Sequence, residues 1–449
     1  MLPAMPSSPI TLCAGDLSWV DQFIRNIRPY VFVRTEDNVL ILRPNRAHKL
    51  NAWGARVLKA LLDGHAVKDV VAAAGGGERA SEIGRFLCAV KSALEGHTDR
   101  LSGHPGVDHV PFDMRFSEYP VLSEVALTYR CNLRCAFCYA RCGDGDRPPV
   151  REMAPRQVAR VLDMLYHEAR VPSVSFTGGE PTLVRELPRY VHHAARLGMR
   201  VNLITNGTLV DPRLARRLAD SGLHSAQVSL EGVQAGTHDR LVGCTGAFER
   251  SLAGAKNLAA CGIATHTNTT ITAANAAEAP SLPDFVRREL GFDRLSMNLV
   301  IPSGSVTDNA GLVVHYSEIG ALLEQVRQAS AQAGVEFMWY SPVPMCLYNT
   351  VAEGLGNRGC AACDGLLSVA PDGSVLPCAS VIEPVGNLLS DGFAGVWRSA
   401  RACAYRDKTL APDACRGCDD FHICNGACLL YWRALGEEEL AATGTGQEG

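Results

Sequence analysis

The sequence predicts an α/β protein built around a partial, TIM-like (β/α)6 barrel. A small winged-helix-like α+β domain precedes the barrel and a Cys-rich domain follows it. Three observations carry this. Six β-prone runs alternate with helical stretches over residues 119–335. A short hairpin with amphipathic helices occupies residues 16–97. Residues 336–435 lose the alternation and are dense in Cys, Gly and Pro. A chain of 449 residues has room for all three, at roughly 100–200 residues per domain.

Composition narrows the function class. The chain is 47% hydrophobic and 20% charged, which suits a soluble globular protein. Its 43 basic and 47 acidic residues give a net charge of −4, which argues against a dominant surface for nucleic acid or anionic membrane. No apolar run reaches the ~18 residues of a membrane span. Residues 1–15 lack a basic start followed by an apolar stretch, so no secretory signal is expected and a cytoplasmic protein is the default. The anomaly is 17 cysteines. Disulfides are rare in reducing cytosol, and short regular Cys spacings there point to metal.

In the first domain, Tyr30-Val31-Phe32-Val33 and Val39-Leu40-Ile41-Leu42 flank Glu36-Asp37-Asn38 and read as a hairpin. Asn51 can cap a helix with Trp53, Val57, Leu58, Leu61 and Leu62 on its apolar face, and Gly64 can stop it. Ile83, Phe86, Leu87, Val90 and Leu94 mark a second helix at spacings of three and four. Residues 98–118 read as a linker.

In the barrel, strands are expected at 123–128, 173–176, 200–205, 225–230, 263–271 and 295–301. Helices at 154–169, 187–197, 212–221 and 248–261 lie between strands. Crossover helices imply a parallel sheet. A closed eight-stranded barrel takes about 250 residues, so an open six-unit barrel fits this length better. Chemistry in such sheets sits at the carboxyl ends of the strands.

Leu127-Thr128-Tyr129-Arg130-Cys131-Asn132-Leu133-Arg134-Cys135-Ala136-Phe137-Cys138-Tyr139 follows the first barrel strand. Three thiolates on one loop can hold three irons of a cubane and leave the fourth open. Zinc is the competing metal, but it usually takes four ligands in paired loops. Cys131-x3-Cys135-x2-Cys138 in this context resembles the radical S-adenosylmethionine (SAM) superfamily. The resemblance implies a [4Fe–4S] cluster whose open iron binds SAM. It also implies one-electron cleavage to methionine and a 5′-deoxyadenosyl radical that abstracts a substrate hydrogen, with Phe137 and Tyr139 beside the cofactor.

Further matches fall at successive strand ends. Gly178-Gly179-Glu180-Pro181 follows the second strand; the glycines permit close backbone approach and Glu180 offers an acceptor for the SAM amine. Asn206 ends the third strand, and Ser229 with Glu231, ending the fourth, match the family's ribose contacts. Arg240 can pair with the SAM carboxylate. Cys142 and Cys244 read as spare thiols, and His266, Tyr316 and Tyr348 as cavity candidates with structural roles.

Cys415-x2-Cys418-x5-Cys424-x3-Cys428 is a dense block, and Cys363-x9-Gly373-x4-Cys378 lies upstream with Cys360 and Cys346 before it. The residues alone also allow a zinc ribbon. The arrangement resembles the SPASM extension of radical SAM enzymes, which implies one or two auxiliary [4Fe–4S] clusters. Eleven cysteines are patterned, and one three-Cys cubane with two four-Cys cubanes takes eleven. Cys13, Cys88, Cys142, Cys244, Cys261 and Cys403 remain. The family pattern gives the inner cluster Cys360, Cys363, Cys378 and Cys428, and the outer one Cys415, Cys418 and Cys424. The pattern usually ends with one more cysteine, which is missing after Cys428. The outer cluster's fourth ligand is then Cys346, Cys403, a group such as Asp419 or Asp420, or none, with Cys346 favoured. The stretch 436–449 is acidic and rich in small residues, and is expected to fray as a flexible tail.

The module at 16–97 resembles the PqqD-like peptide-recognition domains of radical SAM peptide maturases. An exposed sheet edge can accept a leader peptide as an added strand. Its basic residues Arg25, Arg28, Arg34, Arg43, Arg46 and Lys49 form no dense block, which disfavours nucleic acid. The resemblance as a whole implies modification of a ribosomal precursor peptide by crosslinking, epimerisation, decarboxylation or oxidation, with a flavodoxin or ferredoxin as electron donor. The same chemistry on a tetrapyrrole, another small molecule or a folded protein is the second reading. A non-catalytic iron–sulfur scaffold is the third.

Overall fold

The structure is a computed structural model that describes residues 16–42, 46–94, 117–143 and 150–441. The chain forms two compact units, Met1–Val121 and Leu122–Gly449.

In the first unit, β1 (Val31–Arg34), β2 (Val39–Leu42) and β3 (Arg46–Lys49) form an antiparallel sheet in the order β1-β2-β3. The hairpin was legible; the third strand was not. Helices Val20–Ile27, Ala52–Leu62, Val67–Ala73 and Gly77–Leu94 complete the unit. Asn51 caps the second of these, its side chain accepting from the Gly54 amide at 2.7 Å. Phe23, Ile27, Leu40, Leu58, Ile83 and Phe86 meet in one core. Arg34, one of the basic residues of this unit, is buried. It is 1% exposed and paired with Asp37 at 2.8 Å. Its guanidinium also donates to Ser117 Oγ and the Pro120 carbonyl. The end of the expected linker is therefore tied to the hairpin, while Cys13, Arg43, the Arg46 side chain and residues 98–116 lie outside the described residues.

In the second unit, all six expected barrel strands form: β4 (Leu122–Ala126), β5 (Ser173–Thr177), β6 (Arg200–Thr205), β7 (Ser225–Ser229), β8 (Ala264–Ile271) and β9 (Arg294–Leu299). They pair in parallel, in sequence order. Helices Pro155–His167, Leu187–Arg196, Pro212–Asp220 and Ala247–Ala260 supply crossovers. Val125, Phe176, Leu203 and Val228 are buried. The alternate positions are polar and linked strand to strand: Ser175 to Asn202 at 3.2 Å and Asn202 to Ser225 at 2.8 Å.

The sheet extends beyond the six strands. β10 (Glu336–Trp339) adds in parallel to β9, and β11 (Leu366–Val369) adds in parallel to β4. β12 (Ser374–Leu376) and β13 (Gly386–Asn387) continue the β11 edge antiparallel. Residues 336–435, where the sequence loses its strand–helix alternation, thus contribute four strands and bury Leu367, Val375, Trp397, Tyr431 and Trp432. Of the tail expected at 436–449, residues 442–449 lie outside the described residues, and residues 438–441 are helical. Helix Glu438–Ala441 holds Glu439, which accepts from the Ser317 amide at 2.7 Å and from the Tyr431 hydroxyl.

Candidate active site

β4 ends at Ala126, and the chain continues as the irregular loop 127–143 that carries Cys131, Cys135 and Cys138. Two segments hold this loop. The amides of Arg134 and Ala136 donate to the carbonyls of Val242 and Leu241, both at 2.9 Å. From the β9 side, the Ser305 amide donates to the Cys138 carbonyl at 2.9 Å, and Gly304 lies so close that a Cβ would fall 2.3 Å from the same oxygen. Leu133, Val242 and Ala247 pack against half-buried Cys131 and Cys135.

The three thiols act on one another. Burial pushes Cys131 up to about 11, with the charges of Glu180 and Cys138 adding to it. Burial also raises Cys135 strongly, with Cys138, Glu231 and Cys131 adding. Cys138 is held down to about 6, first by a hydrogen bond from the Cys142 side chain and then by local amides. Cys142, read as a spare thiol, is thus a neighbour of the trio. Holding Cys131 and Cys135 as thiolates beside Cys138 requires a cationic centre. Three thiols on one loop can each meet a separate iron of a cube. The donor set fits that group.

The turn after β5 lies flat on the cysteine loop. The amides of Gly179 and Glu180 donate to the carbonyls of Thr128 (2.7 Å) and Arg130 (2.9 Å). A Cβ on Gly178, at φ +139°, would fall 2.1 Å from the Thr128 oxygen, and one on Gly179 would fall 2.3 Å from that of Arg130. Glu180 is fully buried, and its carboxylate is hydrogen-bonded. It accepts from the Thr182 amide (3.0 Å) and hydroxyl (2.6 Å), from the Thr205 hydroxyl (2.7 Å) and from the Asn206 amide (2.8 Å). Oε1 takes three of these bonds and Oε2 one, so Glu180 braces the ends of β5 and β6 and keeps acceptor capacity on Oε2. Asn206, braced this way, reaches Asn132 Oδ1 at 3.0 Å and lies 4.0 Å from Cys131 Sγ.

Ser229 ends β7, in register with Asn268 of β8. Glu231 is buried, and burial pushes its carboxyl up to about 8 although the Thr270 amide donates to Oε2 at 2.8 Å. Arg240 is exposed on helix Ala235–Val242, with one hydrogen bond to the Gly236 carbonyl. Phe137 is half-buried beside Cys138. The Tyr139 phenol is driven far up by burial, with Glu124 of β4 adding charge.

The remaining patterned cysteines form two groups. Burial and then the charges of Cys360 and Cys428 raise Cys378 strongly, and burial with Cys360 takes Cys428 up to about 11. Cys363, pushed up to about 12 by burial, is opposed by Arg406 and Lys408. Cys415 stands among Cys424, Cys346 and Cys418. Arg406 and Lys408 are site residues that sequence reasoning missed, because nothing local distinguishes them from surface cations. Lys408 is 5% exposed and donates to the Cys360 carbonyl at 2.5 Å, and Arg406 donates to that of Cys363 at 2.9 Å. Of the cavity candidates, Tyr316 is structural. It stacks on Tyr431 at 3.8 Å, and its hydroxyl accepts from the Cys428 amide at 3.3 Å.

Comparison with known proteins bears on this arrangement. Residues 125–275 match the radical SAM superfamily, and residues 360–419 match the SPASM iron–sulfur cluster-binding domain. The PqqA peptide cyclase of Ruegeria pomeroyi is 30% identical over 335 residues, covering 72% of this chain and 86% of its own length. The AdoMet-dependent heme synthase of Oleidesulfovibrio alaskensis is 26% identical over 346 residues, covering 73% and 87%. In fold, the chain resembles Streptococcus suis SuiB bound to its precursor peptide SuiA, with a TM-score of 0.66 at 18% identity over 90% of this chain and 95% of that one. The chain belongs to the radical SAM superfamily: it is an enzyme that uses a [4Fe–4S] cluster with S-adenosylmethionine and carries auxiliary iron–sulfur clusters in a C-terminal SPASM domain.

Proposed function

We propose that this enzyme modifies a ribosomally made precursor peptide, which it binds through its PqqD-like N-terminal unit. The observation that carries the reading is that unit itself, a separate three-stranded sheet ending in β1 and β3, with its own helical core. An edge strand recruits an extended peptide by main-chain hydrogen bonds. Fold similarity to peptide-bound SuiB over 90% of the chain, and sequence similarity to a peptide cyclase, support it.

When bound, the cluster and SAM supply a hydrogen-abstracting radical through one-electron reduction; the protein's part is to bind, orient and shield. Cys131, Cys135 and Cys138 hold the cluster. Gly178, Gly179 and Asn206 border the SAM amine, with Glu180 fixing Asn206 from behind. Arg240, exposed and free of acidic partners among the described residues, takes the SAM carboxylate. Ser229 and Glu231 meet the ribose; with Thr270 on Oε2, Glu231 keeps its proton on Oε1 near neutral pH and can donate it in a hydrogen bond. Cys360, Cys363, Cys378 and Cys428 hold an inner auxiliary cluster, and Cys415, Cys418 and Cys424 an outer one. A flavodoxin or ferredoxin supplies the electron. No helix among the described residues is long and apolar enough to cross a membrane.

A second reading, the same chemistry on a tetrapyrrole, has its own support in the similarity to heme synthases. Co-expression with a precursor encoded nearby separates them. The peptide reading expects the leader to co-purify and the core to change mass in a Cys135-dependent way. An unbound, unchanged precursor together with turnover of a porphyrin would overturn it.

A further inference from the structure

Resting on the reading that Cys415, Cys418 and Cys424 hold the outer auxiliary cluster, we propose that Cys346, from the turn after β10, is its fourth ligand, so that this cluster has no open iron. The turn is built to deliver the thiol. The Pro344 carbonyl accepts from the amides of Leu347 (3.0 Å) and Tyr348 (2.9 Å), closing the chain around Cys346. The Tyr348 ring anchors this turn on helix Tyr316–Ala333, where a Cβ added to Gly320 would meet it at 2.8 Å. The neighbouring Met345 amide donates to Cys424 Sγ at 3.4 Å, which places Cys346 one residue from a hydrogen bond to a ligand sulfur.

The competing donors point elsewhere. Cys403 sits on helix Ala400–Arg406 with its thiol toward the Arg398 carbonyl at 3.9 Å, and its neighbour Arg406 serves Cys363 of the other group. Asp419 and Asp420 are exposed, as Cys346 and Cys418 are, so exposure does not separate the candidates. The Asp420 carbonyl accepts from the amides of Ile423 and Cys424, which orients the helix rather than a carboxylate. Cys346 thus supplies from upstream a thiolate that residues 429–449 do not contain. The inner group already has four cysteines. With both auxiliary clusters closed, substrate does not ligate auxiliary iron, and these clusters serve electron transfer or structure.

The test uses full-length, anaerobically prepared enzyme with iron and sulfide analysis and EPR of the reduced protein. Cys346→Ala should lose iron from one auxiliary cluster only, or change that cluster's signal alone. An added small thiol should restore or shift the signal. Cys403→Ala should leave every signal unchanged. If Cys346→Ala keeps wild-type iron, sulfide and spectra while Cys415→Ala loses a cluster, the assignment of Cys346 is wrong and the outer cluster stands. If Cys415→Ala also changes nothing, the reading beneath it fails instead.

Discussion

The backbone amide of Gly179 donates to the carbonyl of Thr128 at 2.7 Å, which locks the turn after β5 onto the root of the cysteine loop. With only 2.3 Å between a Cβ on Gly179 and the Arg130 oxygen, no side chain fits without moving backbone. Gly179→Ala is therefore expected to lower SAM cleavage at least roughly tenfold, the equivalent of about 1.4 kcal/mol. Auxiliary iron should stay at wild-type levels. Equal 5′-deoxyadenosine formation by the two proteins would show that the contact is dispensable.

The buried Arg34–Asp37 pair organises the N-terminal unit. Removing one partner of a buried ion pair leaves an uncompensated charge and costs about 3–5 kcal/mol. Asp37→Ala is expected to unfold this unit selectively. Precursor binding should vanish in a pulldown while SAM cleavage in the absence of peptide continues. Retained binding would separate peptide recognition from this unit.

These two sites show what the sequence made legible. Cys131, Cys135 and Cys138 lie within eight residues, so their spacing alone announces a shared ligand, and β4 to β9 announce themselves by apolar runs between amphipathic helices. The rest depends on long-range partners. β11 pairs with β4 across more than 240 residues, so its apolar stretch read as an isolated fragment of a Cys-rich region. The bracing role of Glu180 was not legible because two of its four donors, Thr205 and Asn206, come from the end of the next strand. The burial of Arg34 was not legible because its partners Ser117 and Pro120 lie more than 80 residues away, at and just past the end of the expected linker.

His266 on β8 has no hydrogen-bond partner at its covered Nε2, and burial, with Arg294 adding, holds its imidazole down to about 4. The unfolded chain, with an ordinary imidazole, binds the extra proton first as pH falls. Stability should therefore decline between pH 6.5 and 4 through this group, by on the order of 3 kcal/mol. His266→Gln should flatten that part of the thermal-stability profile relative to wild type. Identical slopes would mean the imidazole is protonated in the native state.

Lys408 and Arg406 place two cations on the carbonyls of Cys360 and Cys363. Positive charge beside a cluster stabilises its reduced form. Lys408→Met should lower the midpoint potential of one auxiliary cluster by about 50 mV, roughly 1 kcal/mol for one electron. Redox titration followed by EPR reads this directly, and an unchanged or higher potential would count against the placement.

The most direct test concerns the trio on the first barrel loop. Anaerobically reconstituted wild-type enzyme, given SAM and a strong reductant, should form 5′-deoxyadenosine and methionine, while Cys135→Ala should form neither and lack one cluster's iron. Undiminished 5′-deoxyadenosine from Cys135→Ala would contradict the account.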